Sequence, residues 1–69
     1  MSVARVTEIT ATSDKSFEDA IQQGVARATK TLRGVTSAWI KEQELEIQNN
    51  RPAQWKVNML VTFLLEDGA

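Results

Sequence analysis

The stretch Trp55-Lys-Val-Asn-Met-Leu-Val-Thr-Phe-Leu-Leu65 decides how the rest of the chain must be arranged. Its odd positions, Trp55, Val57, Met59, Val61, Phe63 and Leu65, are all apolar, while Lys56, Asn58 and Thr62 fall on even positions. Strict alternation of this length is the mark of a β-strand with one face in a core. A strand so apolar on one side belongs at the centre of a sheet, with Trp55 packed in the core alongside Val57 and Met59.

Working back from it, residues 34–47 (GVTSAWIKEQELEI) read as a second strand. Ala38 and Ile40 are assigned to one face, and Ser37, Trp39, Lys41 and Gln43 to the other. The segment 48–54 (QNNRPAQ) holds the turn-formers that fold this strand back, antiparallel, onto the first-quoted one. Residues 17–33 (FEDAIQQGVARATKTLR) place Phe17, Ile21, Val25, Ala28 and Leu32 at helical spacing. Ser16 followed by Asp19 resembles a capping box. Glu18 and Asp19 near the start, with Lys30 and Arg33 near the end, complement the helix dipole. Gly34 supplies the stop, and Gly24 inside the helix points to close approach of another backbone. Residues 3–10 form a first strand in which Val3, Val6 and Ile9 break period two, so a bulge or cover on both faces is expected.

The result is one α+β domain over residues 1–69, ordered strand, helix, strand, strand. One helix covers one face of a three-stranded sheet. The other face carries Ser37, Trp39, Lys56, Asn58, Leu60 and Thr62, too mixed for a dry core and too apolar in places for plain solvent. A chain of 69 residues has a small core of its own, and with no Cys and no His it has neither disulfides nor the usual zinc ligands. Association with copies of itself is the remaining source of stability.

Composition narrows the function classes. Eight basic and nine acidic side chains give a net charge of −1 with no basic stripe, which argues against nucleic acid. No run has signal-peptide or membrane-spanning character, which fits a cytoplasmic protein. No His, Cys nucleophile, glycine-rich phosphate loop or metal motif supports an enzyme.

Element order and three strings, TATSDKSFEDAI at 10–21, ARATKTLRGV at 26–35 and WKVNMLVTFLLED at 55–67, resemble the dodecins, small flavin-binding proteins that assemble as hollow shells of twelve subunits. Ala11 stands where the family's turn has Gly. The resemblance implies a β-α-β-β subunit, an antiparallel sheet in order 1-3-2 wrapped on the helix, and self-assembly into a homododecamer. It also implies binding and sequestration of FMN, FAD or riboflavin. In flavin-binding members a Trp on the second strand stacks on the ring, and a Gln near the start of the third strand bonds its polar edge. Aligned from Gly34 and from Phe63, those positions fall on Ser37 and Lys56, and Trp39 falls where the family has Glu.

Ser provides no aromatic plate and Lys no acceptor, so flavin affinity is expected to fall. Trp39 stands one same-face step from Ser37, about 7 Å along the strand. Its indole is either a displaced ligand plate or an aromatic contact between subunits. Lys56 pairs either with a ligand anion or with Glu42, Glu44 or Glu46 across the hairpin. Those three glutamates form either a solvated face or, gathered near symmetry axes, an oxygen-ligand site for a divalent cation such as Mg²⁺ or Ca²⁺. The alternative to a flavin binder is thus a structural or ion-binding assembly.

Overall fold

The computed structural model describes residues 2–65. The order is β1 (Ala4–Ser13), α1 (Phe17–Thr31), β2 (Val35–Gln48) and β3 (Arg51–Leu64), with one antiparallel sheet in order β1-β3-β2. The central place expected for the last strand is the place it occupies. Val57, Met59 and Val61 are fully buried under the helix, joined by Ala20 and Ala28. Ile9, Ile21, Val25, Ala38 and Ile40 pack around them.

The buried line of α1 is Ala20, Gly24 and Ala28. The larger Phe17, Ile21, Val25 and Leu32 flank that line instead of forming its centre. Small residues at the centre let the helix lie close to the sheet. A Cβ on Gly24 would stand 2.8 Å from the Met59 methyl carbon and 3.2 Å from Ala11 Cβ. The close neighbour is therefore side chains of β3 and β1, not the backbone foreseen from the sequence.

The helix entry is half the expected capping box. Ser16 caps by accepting from the Asp19 amide at 3.0 Å. The Asp19 carboxylate does not return to Ser16, because it accepts from the Ser13 hydroxyl at 2.6 Å and from Gln23 at 2.6 Å. Ser13 Oγ in turn accepts from the amides of Lys15 and Ser16. This buried hydroxyl ties the end of β1 to the first turn of α1, and its bond holds the Asp19 carboxyl below its ordinary pKa. At the other end the helix stops at Thr31, with Leu32 already extended, so Arg33 lies outside it. Gly34, at φ +72°, makes the turn into β2 and accepts from the Leu64 amide.

The β2–β3 turn is tighter than the 48–54 segment suggested. Only Asn49 and Asn50 lie between the strands, both in the left-handed region at φ 53° and 62°. Two such residues are the requirement of the turn that matches strand twist, and Asn tolerates that region. Pro52 lies within β3, but β1 reaches only as far as Trp55, so Pro52 sits where β3 has no second neighbour.

The irregularities are in the pairing of β2 with β3. β1 pairs with β3 without a break from Ala4–Leu64 to Ser13–Trp55, so the bulge expected in β1 is absent. Val6 instead faces away from the helix, 54% exposed, while Ile9 faces it. Register shifts occur between Val35 and Ser37, Ile40 and Glu42, and Glu46 and Ile47. The second changes which face the rest of β2 presents. Alternation carried on from Ile40 puts Gln43 beside Trp39, yet with Lys41 as the extra residue Gln43 pairs with Val57 on the helix side. Glu42, Glu44 and Glu46 consequently share the outer face with Trp39, opposite Asn58, Lys56 and Gln54. Trp55 is only half-buried and lies outside the core cluster, paired with Ser13 and Leu45.

Candidate functional site

The outer face of the sheet is built in rows across β1, β3 and β2. Glu8, Leu60 and Trp39 form one row, Thr10, Asn58 and Glu42 the next, and Thr12, Lys56 and Glu44 the one after. Ser37 lies one row before Trp39, opposite Thr62, and both Ser37 and Trp39 are exposed. Trp39 is 69% exposed, the most of any large apolar side chain among the described residues. The described residues leave most of the indole uncovered.

Beside it the polar residues are locked to one another. The Thr10 hydroxyl donates to Asn58 Oδ1 at 2.7 Å, and Asn58 Nδ2 donates to Glu42 Oε1 at 3.1 Å. The chain of bonds crosses all three strands and fixes which way the Asn58 amide points. One row further, Lys56 Nζ meets Glu44 Oε1 at 2.9 Å. The hydrogen bond that Lys56 donates to Glu44, supported by the carboxylate's charge, raises the Lys56 pKa and keeps the ammonium charged. Of the two partners considered for Lys56, a cross-hairpin glutamate is the one the subunit supplies. Lys41 and Glu8 pair at 3.6 Å on the same face.

Glu42, Gln43, Glu44, Lys56 and Asn58 line a shallow cleft of about 290 Å³. The sequence-derived candidates Trp39, Lys56, Glu42 and Glu44 thus converge on one surface, with Glu46 a row beyond. Thr10 and Asn58 were not among them, and no local pattern singles out a Thr and an Asn that meet only through strand pairing. Among the described residues of one subunit, no three acidic side chains converge closely enough to hold a metal ion. A larger groove of about 540 Å³ lies between β1 and α1, bordered by Ile9, Ala11, Gly24 and Arg27, and contains none of those candidates.

The family model for dodecin matches residues 3–66. The chain belongs to the dodecin family. Solved dodecins superpose closely. The dodecin from Streptomyces davaonensis is 32% identical, with 96% of this chain and 97% of that one covered and a TM-score of 0.90. A point mutant of the Thermus thermophilus dodecin is 34% identical, with 97% and 100% covered and a TM-score of 0.91. The calcium dodecin of Mycobacterium tuberculosis, described as calcium-chelating with a novel calcium-binding site, is 25% identical over 99% and 97% of the two chains, at a TM-score of 0.82. No curated protein matches the chain. The β-α-β-β subunit with its 1-3-2 sheet is the dodecin fold, and no helix among the described residues is long and apolar enough to cross a membrane.

Proposed function

We propose that this dodecin is a non-enzymatic, cytoplasmic binding protein that assembles as a homododecameric shell and holds a planar small molecule of the flavin class on the outer face of its sheet. The observation that carries this reading is the bare indole of Trp39, standing on the sheet face opposite the helix beside a cleft of fixed polar groups. An aromatic plate of this size offers on the order of 150 Å² or more of contact, with roughly 0.5–1.5 kcal/mol from stacking geometry. With Ser37 at the family's stacking position and Lys56 engaged by Glu44, FMN, FAD or riboflavin binds more weakly than in members that keep the Trp and the Gln. A bound flavin stacked on Trp39 is shielded from water, and electron transfer from the indole quenches its excited state.

Assembly is supported by what the subunit leaves uncovered. Val3, Val6, Trp39, Leu45, Ile47, Leu64 and Leu65 are all exposed, against a core of five buried apolar side chains among the described residues. So much apolar surface on so small a fold calls for partner copies. A stable 7.7 kDa species in sedimentation at micromolar protein defeats this part of the reading.

The ligand is tested by titrating riboflavin or FMN with the protein and following flavin emission. Quenching that disappears in Trp39→Ala supports the displaced plate. Unchanged emission at tens of micromolar protein refutes it.

A second reading, an ion-binding shell, is favoured by one observation. The Lys41 bulge collects Glu42, Glu44 and Glu46 on the outer face, where symmetry copies can meet. The calcium-chelating relative gives it a precedent at family level. Melting temperature that rises with added Ca²⁺ or Mg²⁺ and falls with chelator distinguishes it from the first.

A further inference from the structure

The cleft beside Trp39 carries a charge pattern that bears on which planar molecule it takes. Its two carboxylates, Glu42 and Glu44, stand against one ammonium, Lys56. That ammonium is already held by Glu44 at 2.9 Å, so the row offers no free cation to a ligand. The neighbouring row leaves Glu42 over-endowed with acceptors. It receives one bond, from Asn58 Nδ2 to Oε1 at 3.1 Å. An ionised carboxylate has about four acceptor sites, so most of its capacity is open. Asn58 is partly engaged, since Thr10 donates to its carbonyl at 2.7 Å and one of its two amide hydrogens goes to Glu42, which leaves a neutral N–H and no charge to oppose the carboxylate.

The indole adds the same preference. Trp39 lies opposite Leu60, and Glu42 lies opposite Asn58, the next outer-face residue on β3. The exposed ring and the open carboxylate are therefore neighbours on one surface, about one two-residue strand step apart. The face of an indole is electron-rich and attracts cations. Among the described residues, the other cation near this row, Lys41, is paired with Glu8 at 3.6 Å.

We propose that the outer-face site selects planar aromatic ligands that carry a positive charge or a cluster of ring N–H donors, stacking on Trp39 and bonding Glu42, over neutral flavins and above all over their phosphorylated forms. The inference rests on the reading of Trp39 as a ligand plate and adds the chemical class. A neutral isoalloxazine brings the carboxylate no charge and a single ring N–H flanked by two carbonyl oxygens, which a carboxylate repels. A phosphate brought to this cleft meets a net negative surface whose lysine is already matched.

The test compares three fused three-ring probes against the assembled protein, read by the anisotropy and quenching of the probe's own fluorescence. Proflavine is cationic, lumiflavin neutral and FMN anionic. The expected order of affinity is proflavine, lumiflavin, FMN, with steps of roughly 3- to 10-fold, the effect of one partly screened charge at contact distance. Glu42→Gln is expected to remove most of the proflavine advantage. Glu18→Gln, which deletes the same charge from the exposed first turn of the helix, is expected to leave it intact. The proposal is overturned if FMN binds as tightly as lumiflavin, if lumiflavin binds as tightly as proflavine, or if the two Gln variants act alike and show only a general charge effect. Binding of lumiflavin without charge preference defeats this inference alone. Failure of all three probes to bind defeats it together with the plate reading beneath it.

Discussion

The methyl carbon of Met59 lies 2.8 Å from where Gly24 would carry a Cβ, so the closest approach of helix to sheet is set by the absence of one atom. Ala11 Cβ, 3.2 Å away on β1, closes the space from the other side. The clashing atom is the end of a flexible but fully buried side chain, so the cost turns on how far the Met59 terminus can swing. Gly24→Ala gains ~1 kcal/mol of helix propensity and meets an overpacking cost of ~1–3 kcal/mol. The expected net loss is about 1 kcal/mol in urea denaturation, and a gain would show that the Met59 terminus moves freely. Gly24→Ala combined with Met59→Leu, whose side chain is shorter, should recover part of the loss.

Met59 itself anchors the core from the central strand. Among the described residues the other buried apolar side chains are Val57, Val61, Ala20 and Ala28, so there is little else to fill the space it occupies. Met59→Ala should cost ~2–5 kcal/mol, measured by chemical denaturation. For a subunit this small that approaches the whole of its own stability.

The hairpin turn tests differently, because Asn49 and Asn50 hold the left-handed region at φ 53° and 62°. Asn50→Gly should raise stability by a few tenths to ~1 kcal/mol, since Gly adopts this region freely, and Asn50→Ala should lower it by ~1 kcal/mol. Opposite signs for the two variants in thermal melts are the check.

Two ion-linked contacts define the pH limits. The Asp19 carboxyl is lowered chiefly by the Ser13 hydroxyl, so its contribution is present above the ordinary carboxylate value and is lost as pH falls through the depressed one. Lys56 is raised chiefly by Glu44, so its contribution is complete below the ordinary lysine value and is lost as pH rises through the elevated one. Both are flat through neutral pH. NMR titration should show the Lys56 pKa falling in Glu44→Gln and the Asp19 pKa rising in Ser13→Ala.

Trp39 separates packing from function. At 69% exposure, its truncation should change the stability of an isolated subunit by no more than about 0.5 kcal/mol. A Trp39→Ala variant that keeps its sedimentation coefficient and loses ligand quenching places the indole in a binding site. One that falls apart into smaller species places it in a contact between subunits.

Much of this architecture was legible in the residues, for identifiable reasons. The alternation of β3 between Trp55 and Leu65 has a single interpretation, and the periodicity of α1 with Ser16 before it leaves little freedom for the helix start. The order of elements then matches the dodecins. What was not legible depends on geometry between segments. Trp55 continues the apolar alternation, but its row lies at the end of the helix, so in-phase position did not mean core position. Val6 broke the period of β1 because it faces outward in a regular strand. Ser13 took the Asp19 carboxylate from Ser16 because the chain folds back there, which a capping pattern read along α1 alone does not contain. Of the site, Trp39, Lys56 and the glutamates stood out by type and by departure from the family pattern, whereas Thr10 and Asn58 acquire a role only once three strands are in register.

The extra residue at Lys41 works as a change of reading frame for the surface. From that point to the turn, the sequence's odd and even positions exchange inside and outside, so one residue added or removed between Ile40 and Glu42 re-addresses the carboxylates of half a strand at once. In such a fold a new chemical surface can arise without any side chain changing identity. The length of β2 before its glutamates is as much a determinant of what the outer face of the sheet presents as the glutamates themselves.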